Sequence, residues 1–147
     1  MNLKEKLQSD LKDAMRAGYE LRKNTLRMAI SAIKFAEIEI KSQLDDSATL
    51  AVIQKEVKSR REAIADAQRA NRPDLIQAAE HEILLLEQYL PKAFDPAELE
   101  ALARQAIQEA GATSLKEMGQ VMKVLMPRLQ GRATGDQASQ VVRKLLA

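Results

Sequence analysis

An all-α fold is predicted by three observations: apolar residues recur at helical spacing, aromatic residues make up only 3% of the 147-residue chain, and glycine and proline number just five and four. With Tyr19, Phe35, Tyr89 and Phe94 as the only rings, the core falls to aliphatic residues and methionine, and Leu, Met and Ala among these favour helices. So few turn-formers cannot serve the many turns of an all-β fold. The expected architecture is a four-helix bundle-like domain over residues 1–91, followed by a small three-helix tail domain over residues 95–147.

Each element has its own signal. Leu3, Leu7, Leu11 and Met15 recur every fourth position, so a first helix forms one apolar stripe and ends at Gly18, a residue suited to a left-handed cap. A second helix from about Glu20 to Ser42 buries Leu26, Ala29, Ile30, Ile33 and Ile40 and turns Arg22, Lys23, Lys34 and Lys41 outward. The polar break at Asp45, Asp46, Ser47 and Thr49 supplies N-cap chemistry for a third helix to about Ala70, built on Leu50, Ile53, Val57, Ile64 and Ala67. Pro73 opens a fourth helix to about Tyr89 that carries Leu75, Ile76, Ala79, Ile83 and Leu86. Pro91 and Pro96 then break the pattern and mark the domain boundary.

Beyond that boundary the helices shorten. Asp95, Pro96 and Glu98 read as N-cap, N1 and N3 of a helix stopping at Gly111. Ser114 and Glu117 form a capping box that opens a helix to about Leu129. Residues Gly131 to Asp136 make a loop, and a last helix bears Val141, Val142, Leu145 and Leu146.

Composition excludes several chemistries. The absence of cysteine removes disulfides, thiolate nucleophiles and thiolate metal sites, and His81 stands alone without a second histidine at zinc spacing. No serine sits in a nucleophile elbow and no lysine in a phosphate-cradling glycine loop. The pairs Glu37 with Glu39 and Asp45 with Asp46 read as solvated faces and caps. The expectation is therefore no catalytic residue, no metal and no cofactor. Uninterrupted apolar runs reach only four residues, as at Leu50 to Ile53, and the first ten residues, MNLKEKLQSD, lack the apolar core of a signal peptide. A cytoplasmic chain with no membrane partner is expected. The sequence alone sets no oligomeric state.

Charge is unevenly divided. Residues 1–91 balance 15 basic against 15 acidic side chains, whereas residues 116–147 carry six bases against two acids, a net +4. In the third helix Lys55, Lys58, Arg60, Arg61 and Arg69 interleave with Glu56, Glu62 and Asp66, which reads as a solvated, salt-bridged face.

The segment with most chemical content runs from Ser114 to Asp136. At 100° per residue Leu115, Met118, Met122, Leu125, Met126 and Leu129 share the core face, while Lys116, Gln120 and Lys123 share the opposite one with Gly119 on its shoulder. Glycine within a helix costs roughly 1 kcal/mol relative to alanine, so its presence calls for a reason. It either admits a neighbouring helix backbone or lets a phosphate backbone approach. In the second reading Lys116 and Lys123 neutralise the phosphates, Arg128 and Arg132 assist, and backbone amides near Gly131 and Gly135 donate to the same anion. The candidate RNA-binding set is thus Lys116, Gly119, Lys123, Arg128, Gly131, Arg132 and Gly135. Without exposed rings for base stacking after Phe94, structured RNA is a better target than a single strand.

Several motifs together resemble one family. They are Glu87-Gln-Tyr-Leu-Pro91, Gly111-Ala112, Met118-Gly-Gln-Val-Met122, Leu125-Met-Pro127 and Gly131-Arg-Ala-Thr-Gly135, with Asp10, Ala14, Met15, Leu26, Arg27 and Ile33 near the start. In this order they resemble the YqeY family, whose members are similar to the C-terminal part of the GatB subunit of the glutamine-dependent tRNA amidotransferase. The resemblance implies a helical domain and a tail domain that contacts tRNA. The family's tail motif is carried by Gly119, Val121, Met122, Met126, Gly131 and Gly135. It implies tRNA as partner, with an amidotransferase assembly or another translation-related protein as the alternative. Apart from the resemblance, a third reading is a protein-interaction adaptor whose bundle offers the charged face of the third helix to an acidic partner. A carbon–nitrogen ligase label with glutamine as amido donor would follow from the family and not from any catalytic group of this chain. Where the family usually has Asp-Gly-Lys, this sequence has Thr134, Gly135 and Asp136.

Overall fold

The structure, a computed structural model, describes all 147 residues and contains seven α-helices, one short 3-10 turn and no strand. The helices are α1 (Leu3–Ala17), α2 (Glu20–Ile40), α3 (Asp46–Arg69), α4 (Pro73–Glu87), α5 (Pro96–Ala110), α6 (Met118–Leu129) and α7 (Gly135–Leu146), with the 3-10 turn at Leu115–Glu117 leading into α6. The all-α expectation holds. The chain divides into two compact units, Met1–Leu90 and Pro91–Ala147.

In the first unit the helix ends are set by local chemistry. Asn2 and Glu5 form a capping box at α1, Gly18 closes that helix at φ 74°, and Asp45 accepts from the Ala48 N–H at the start of α3. The second helix ends two residues earlier than expected, at Ile40, because Lys41 takes the left-handed conformation at φ 56°. Glu37 ties down this corner: its carboxylate accepts from Lys4 Nζ at 2.7 Å and from the Leu44 N–H at 3.0 Å, which holds its pKa below the usual carboxylate value.

The core of this unit joins Leu7, Leu26, Ala29, Ile30, Ile33, Ile53, Val57, Ile83, Leu86 and Tyr89. In it α1 packs on α2 and α3 on α4, while α2 touches both α3 and α4. Two expectations fail at its edges. Ile40 is 58% exposed, because it lies in the last turn of α2 past the reach of the core. Arg60, read as part of a solvated face, is only 6% exposed. Its guanidinium reaches Glu82 at 2.8 Å and Glu56 at 2.7 Å and lies 3.7 Å from the Met28 sulfur, so the charge is carried inward with its counter-ions.

A second polar tie closes the bundle. The Tyr89 hydroxyl, just past the end of α4, donates to Asp10 on α1 at 2.5 Å, and Arg22 of α2 lies 3.8 Å from the same carboxylate. Burial, followed by the Asp10 charge, raises the phenol pKa. The unfolded phenol therefore ionises first. Stability from this group is present below about pH 10 and is lost as pH rises above it. Tyr89→Phe should cost about 1.5–3 kcal/mol at neutral pH, the worth of a hydrogen bond to a charged group. It should also flatten the alkaline fall in stability, as read from denaturant unfolding at pH 7 and above pH 10.

Candidate nucleic-acid interface

The second unit is built around small residues. Its buried core comprises Leu99, Ala103 and Ala106 from α5, Val121, Leu125 and Leu129 from α6, Ala133, and Ala138 and Val142 from α7, four alanines among nine side chains. Asp95 caps α5 by accepting from the Glu98 N–H, and Gly111 ends that helix at φ 65°. The capping box expected at Ser114 does not form. Instead Glu117 accepts from the backbone and hydroxyl of Thr113, at 3.3 and 3.2 Å, and the chain enters α6 through the 3-10 turn.

That turn shifts the helical phase. Val121, Leu125 and Leu129 face the core, Met118 and Met122 lie at its margin, and Leu115 and Met126, both expected inside, are each 47% exposed. A 3-10 segment advances about 120° per residue, so Leu115 cannot share a face calculated at 100°. The buried every-fourth spacing of Val121, Leu125 and Leu129 was legible in the sequence in the same way as the stripe of α1.

The candidate cations fall into two groups. Arg128 is ion-paired with Glu109. Arg132 is a clasp: it donates through Nε to the Lys92 carbonyl at 2.9 Å, lies 3.2 Å from Glu98 and stacks 4.0 Å above the Phe94 ring, while its own carbonyl accepts from the Phe94 N–H at 2.9 Å. Lys116 and Lys123, by contrast, are exposed and make no ion pair with any side chain of the chain. Lys116 lies in the 3-10 turn and Lys123 seven residues on in α6, with Gly119 and Gln120, also exposed, between them in the chain.

The three candidate glycines separate in the same way. Gly131 has φ 77° and follows Gln130 at φ 49°, so the turn out of α6 needs it. A Cβ on Gly135 would sit 3.3 Å from the Met126 terminal methyl. Gly119 has neither constraint: a Cβ there would meet nothing within 4 Å. The helix-packing reason for Gly119 is thereby removed, and an open surface between two unpaired lysines remains. The amides expected to bind an anion at α7 are partly taken up, since Thr134 and Gln137 form a reciprocal capping box. No group of three or more His, Asp or Glu side chains is placed to hold a metal ion.

Comparison with known proteins places this arrangement. The sequence model of the Yqey-like proteins, named YqeY, matches residues 4–146. The chain belongs to the YqeY family. The YqeY domain is related to the GatB C-terminal region. One relative, altered inheritance of mitochondria protein 41 of Pyrenophora tritici-repentis, is 31% identical over 131 residues, covering 87% of this YqeY chain and 71% of its own length. The protein of the same name from Vanderwaltozyma polyspora is 39% identical over 85 residues, covering 57% of this chain and 46% of its own. An uncharacterised Schizosaccharomyces pombe protein is 32% identical over 91 residues, covering 62% of this chain and 74% of its own. The YqeY chain thus spans about half the length of several of the relatives it matches.

These names overturn the expectation of a cytoplasmic location, because the relatives are designated mitochondrial. That expectation rested on the lack of an apolar span and of a signal-peptide core, which bear on membrane insertion and secretion and leave the compartment open. No helix of this YqeY chain is long and apolar enough to cross a membrane.

The geometry assigns opposite energetic signs to two candidate residues. Gly119→Ala should raise stability by about 0.5–1 kcal/mol, since it restricts the unfolded chain and meets open space. Arg132→Ala should lower it by about 1 kcal/mol through loss of a part-exposed clasp. Paired denaturant melts of the two variants would read both.

Proposed function

We propose that the Pro91–Ala147 unit is a non-catalytic module that docks on the phosphate backbone of structured RNA, with tRNA the class implied by the family, at Lys116, Gly119 and Lys123. The observation that carries this reading is the destabilising glycine with open space where its side chain would be, set between two cations that no acidic side chain pairs. A phosphate backbone is a ligand that uses both features: it needs positive charge, and it approaches closely where a side chain is missing. The unit as a whole is basic by a modest margin, since Glu109 and Glu98 answer two of the bases in the net +4 of residues 116–147.

Arg128 and Arg132 take a supporting place in this reading. Their guanidinium groups already answer Glu109 and Glu98, so they shape the surface that the lysines occupy. The absence of an exposed ring along α6 and α7 fits recognition of shape over base sequence.

A salt-dependent titration of the full chain with bulk tRNA tests this. Binding should be measurable at low salt, and Lys116→Ala and Lys123→Ala should each reduce the slope of log affinity against log salt by about 1. Gly119→Ala should weaken binding although it stabilises the fold, and Lys55→Ala on α3 should leave binding unchanged. No binding at low salt, or a slope indifferent to both lysines, overturns the reading.

A further inference from the structure

The outward face of α2 carries a second apolar seam that is largely exposed, with the Met28 sulfur 3.7 Å from the Arg60 guanidinium of the bundle. Five of its large apolar side chains are exposed, namely Leu21, Met28, Phe35, Ile38 and Ile40, with Phe35 at 64% and Ile38 at 74%. Their spacing is not random. Leu21, Met28 and Phe35 stand seven residues apart, and Asn24, Ser31 and Ile38 follow each by three, which reproduces the a and d positions of a heptad over three repeats. All six are exposed.

The core seam of the same helix, Leu26, Ala29, Ile30 and Ile33, lies about 180° around the helix from this heptad. One face therefore serves the bundle and the other is free to meet a second helix directly opposite. A repeat of 3.5 residues is what a supercoiling partner requires, since each a or d side chain must find a hole in a facing helix of the same period.

We infer that the occupant is a second copy of this chain, with the two α2 helices paired in parallel. Charge complementarity selects both the occupant and the direction. In the parallel register Lys34 occupies a g position and faces Glu39, an e position five residues on, in the other copy. Neither residue forms an ion pair within its own chain, and both are exposed. The two-fold axis makes this contact twice. The antiparallel register instead sets Arg27 against Lys34, two cations, across the seam. Asn24 and Ser31, both at d positions, supply polar layers of the kind that fix register at a cost in stability. Because exposure is greatest at Phe35 and Ile38, the contact centres on the second half of α2, beside the Lys34 to Glu39 pairs.

Sedimentation velocity of the full chain from about 1 to about 100 µM should show a concentration-dependent dimer. Phe35→Glu should weaken it by at least about tenfold, as expected for burying a charge at the centre of an interface. Lys34→Glu should also weaken it, and Lys34→Glu combined with Glu39→Lys should restore it; both positions are solvent-exposed, so folding is preserved and checked by circular dichroism. As the chain has no cysteine, Asn24→Cys introduces a unique thiol that should oxidise to a dimer-linking disulfide only in the parallel register. A monomer throughout the range, a dimer indifferent to Phe35→Glu, failure of the Asn24→Cys dimer to cross-link, or recovery of the chain on anionic phospholipid vesicles in place of a dimer overturns the proposal.

Discussion

The four alanines buried among α5, α6 and α7 set how closely those helices approach, and the orientation of α6 follows from that approach. Alanine brings backbones together where larger side chains would hold them apart, so the aliphatic side chains of α6 that fill the remaining space must come from one narrow arc. Val121, Leu125 and Leu129 occupy it with little or no exposure. Once they are turned inward, Gly119 and Lys123 are carried outward by helical geometry. Lys116, in the 3-10 turn that precedes the helix, is exposed beside them in the chain.

Arginine and lysine divide the work of this surface by their chemistry. Arg132 uses several donor positions and the face of its planar group at once, holding Lys92, Phe94 and Glu98 to the turn between α6 and α7. That is a task for a rigid fork. Lysine, a mobile point charge, serves well as a counter-ion to a backbone of varying geometry. In the first unit Arg60 likewise takes two carboxylates into a nearly buried position, while Lys4 ties Glu37 through a single point charge.

Local signals carried most of the fold. The caps at Gly18, Asp45, Asp95 and Gly111 act within three or four residues, and each was legible because its chemistry is complete in the sequence around it. Most of what escaped depends on distant partners. Arg60 reads as surface until Glu82, 22 residues away, is brought beside it. Arg132 reads as a free cation until Phe94 and Glu98 meet it. The Ser114 cap fails for a local reason, because Glu117 turns to Thr113 instead. Within the candidate site the lysines were found by periodicity, but the distinction among the three glycines required coordinates. A backbone angle explains Gly131, a methionine methyl explains Gly135, and only the open space around Gly119 leaves a glycine without an internal reason.

Periodicity also distinguishes two kinds of exposed apolar residue. Leu115, in the 3-10 turn, and Met126, off the edge of the buried arc of α6, are isolated exposures, and they need no partner to account for them. The exposed side chains of α2 follow a second, independent repeat that its core contacts do not require. A helix selected only for its bundle would place charged residues there, because exposed Leu, Met, Phe and Ile gain nothing from water. The polar residues that do occur, Asn24, Ser31, Lys34 and Glu39, sit where a paired helix would use them for register and direction. The two surfaces belong to different units of the chain and carry different chemistry: an apolar heptad on α2, and exposed lysines in and just before α6. If the two surfaces act as proposed, salt weakens a phosphate contact at the lysines and screens the Lys34 to Glu39 pair, while leaving burial of Phe35 and Ile38 little changed.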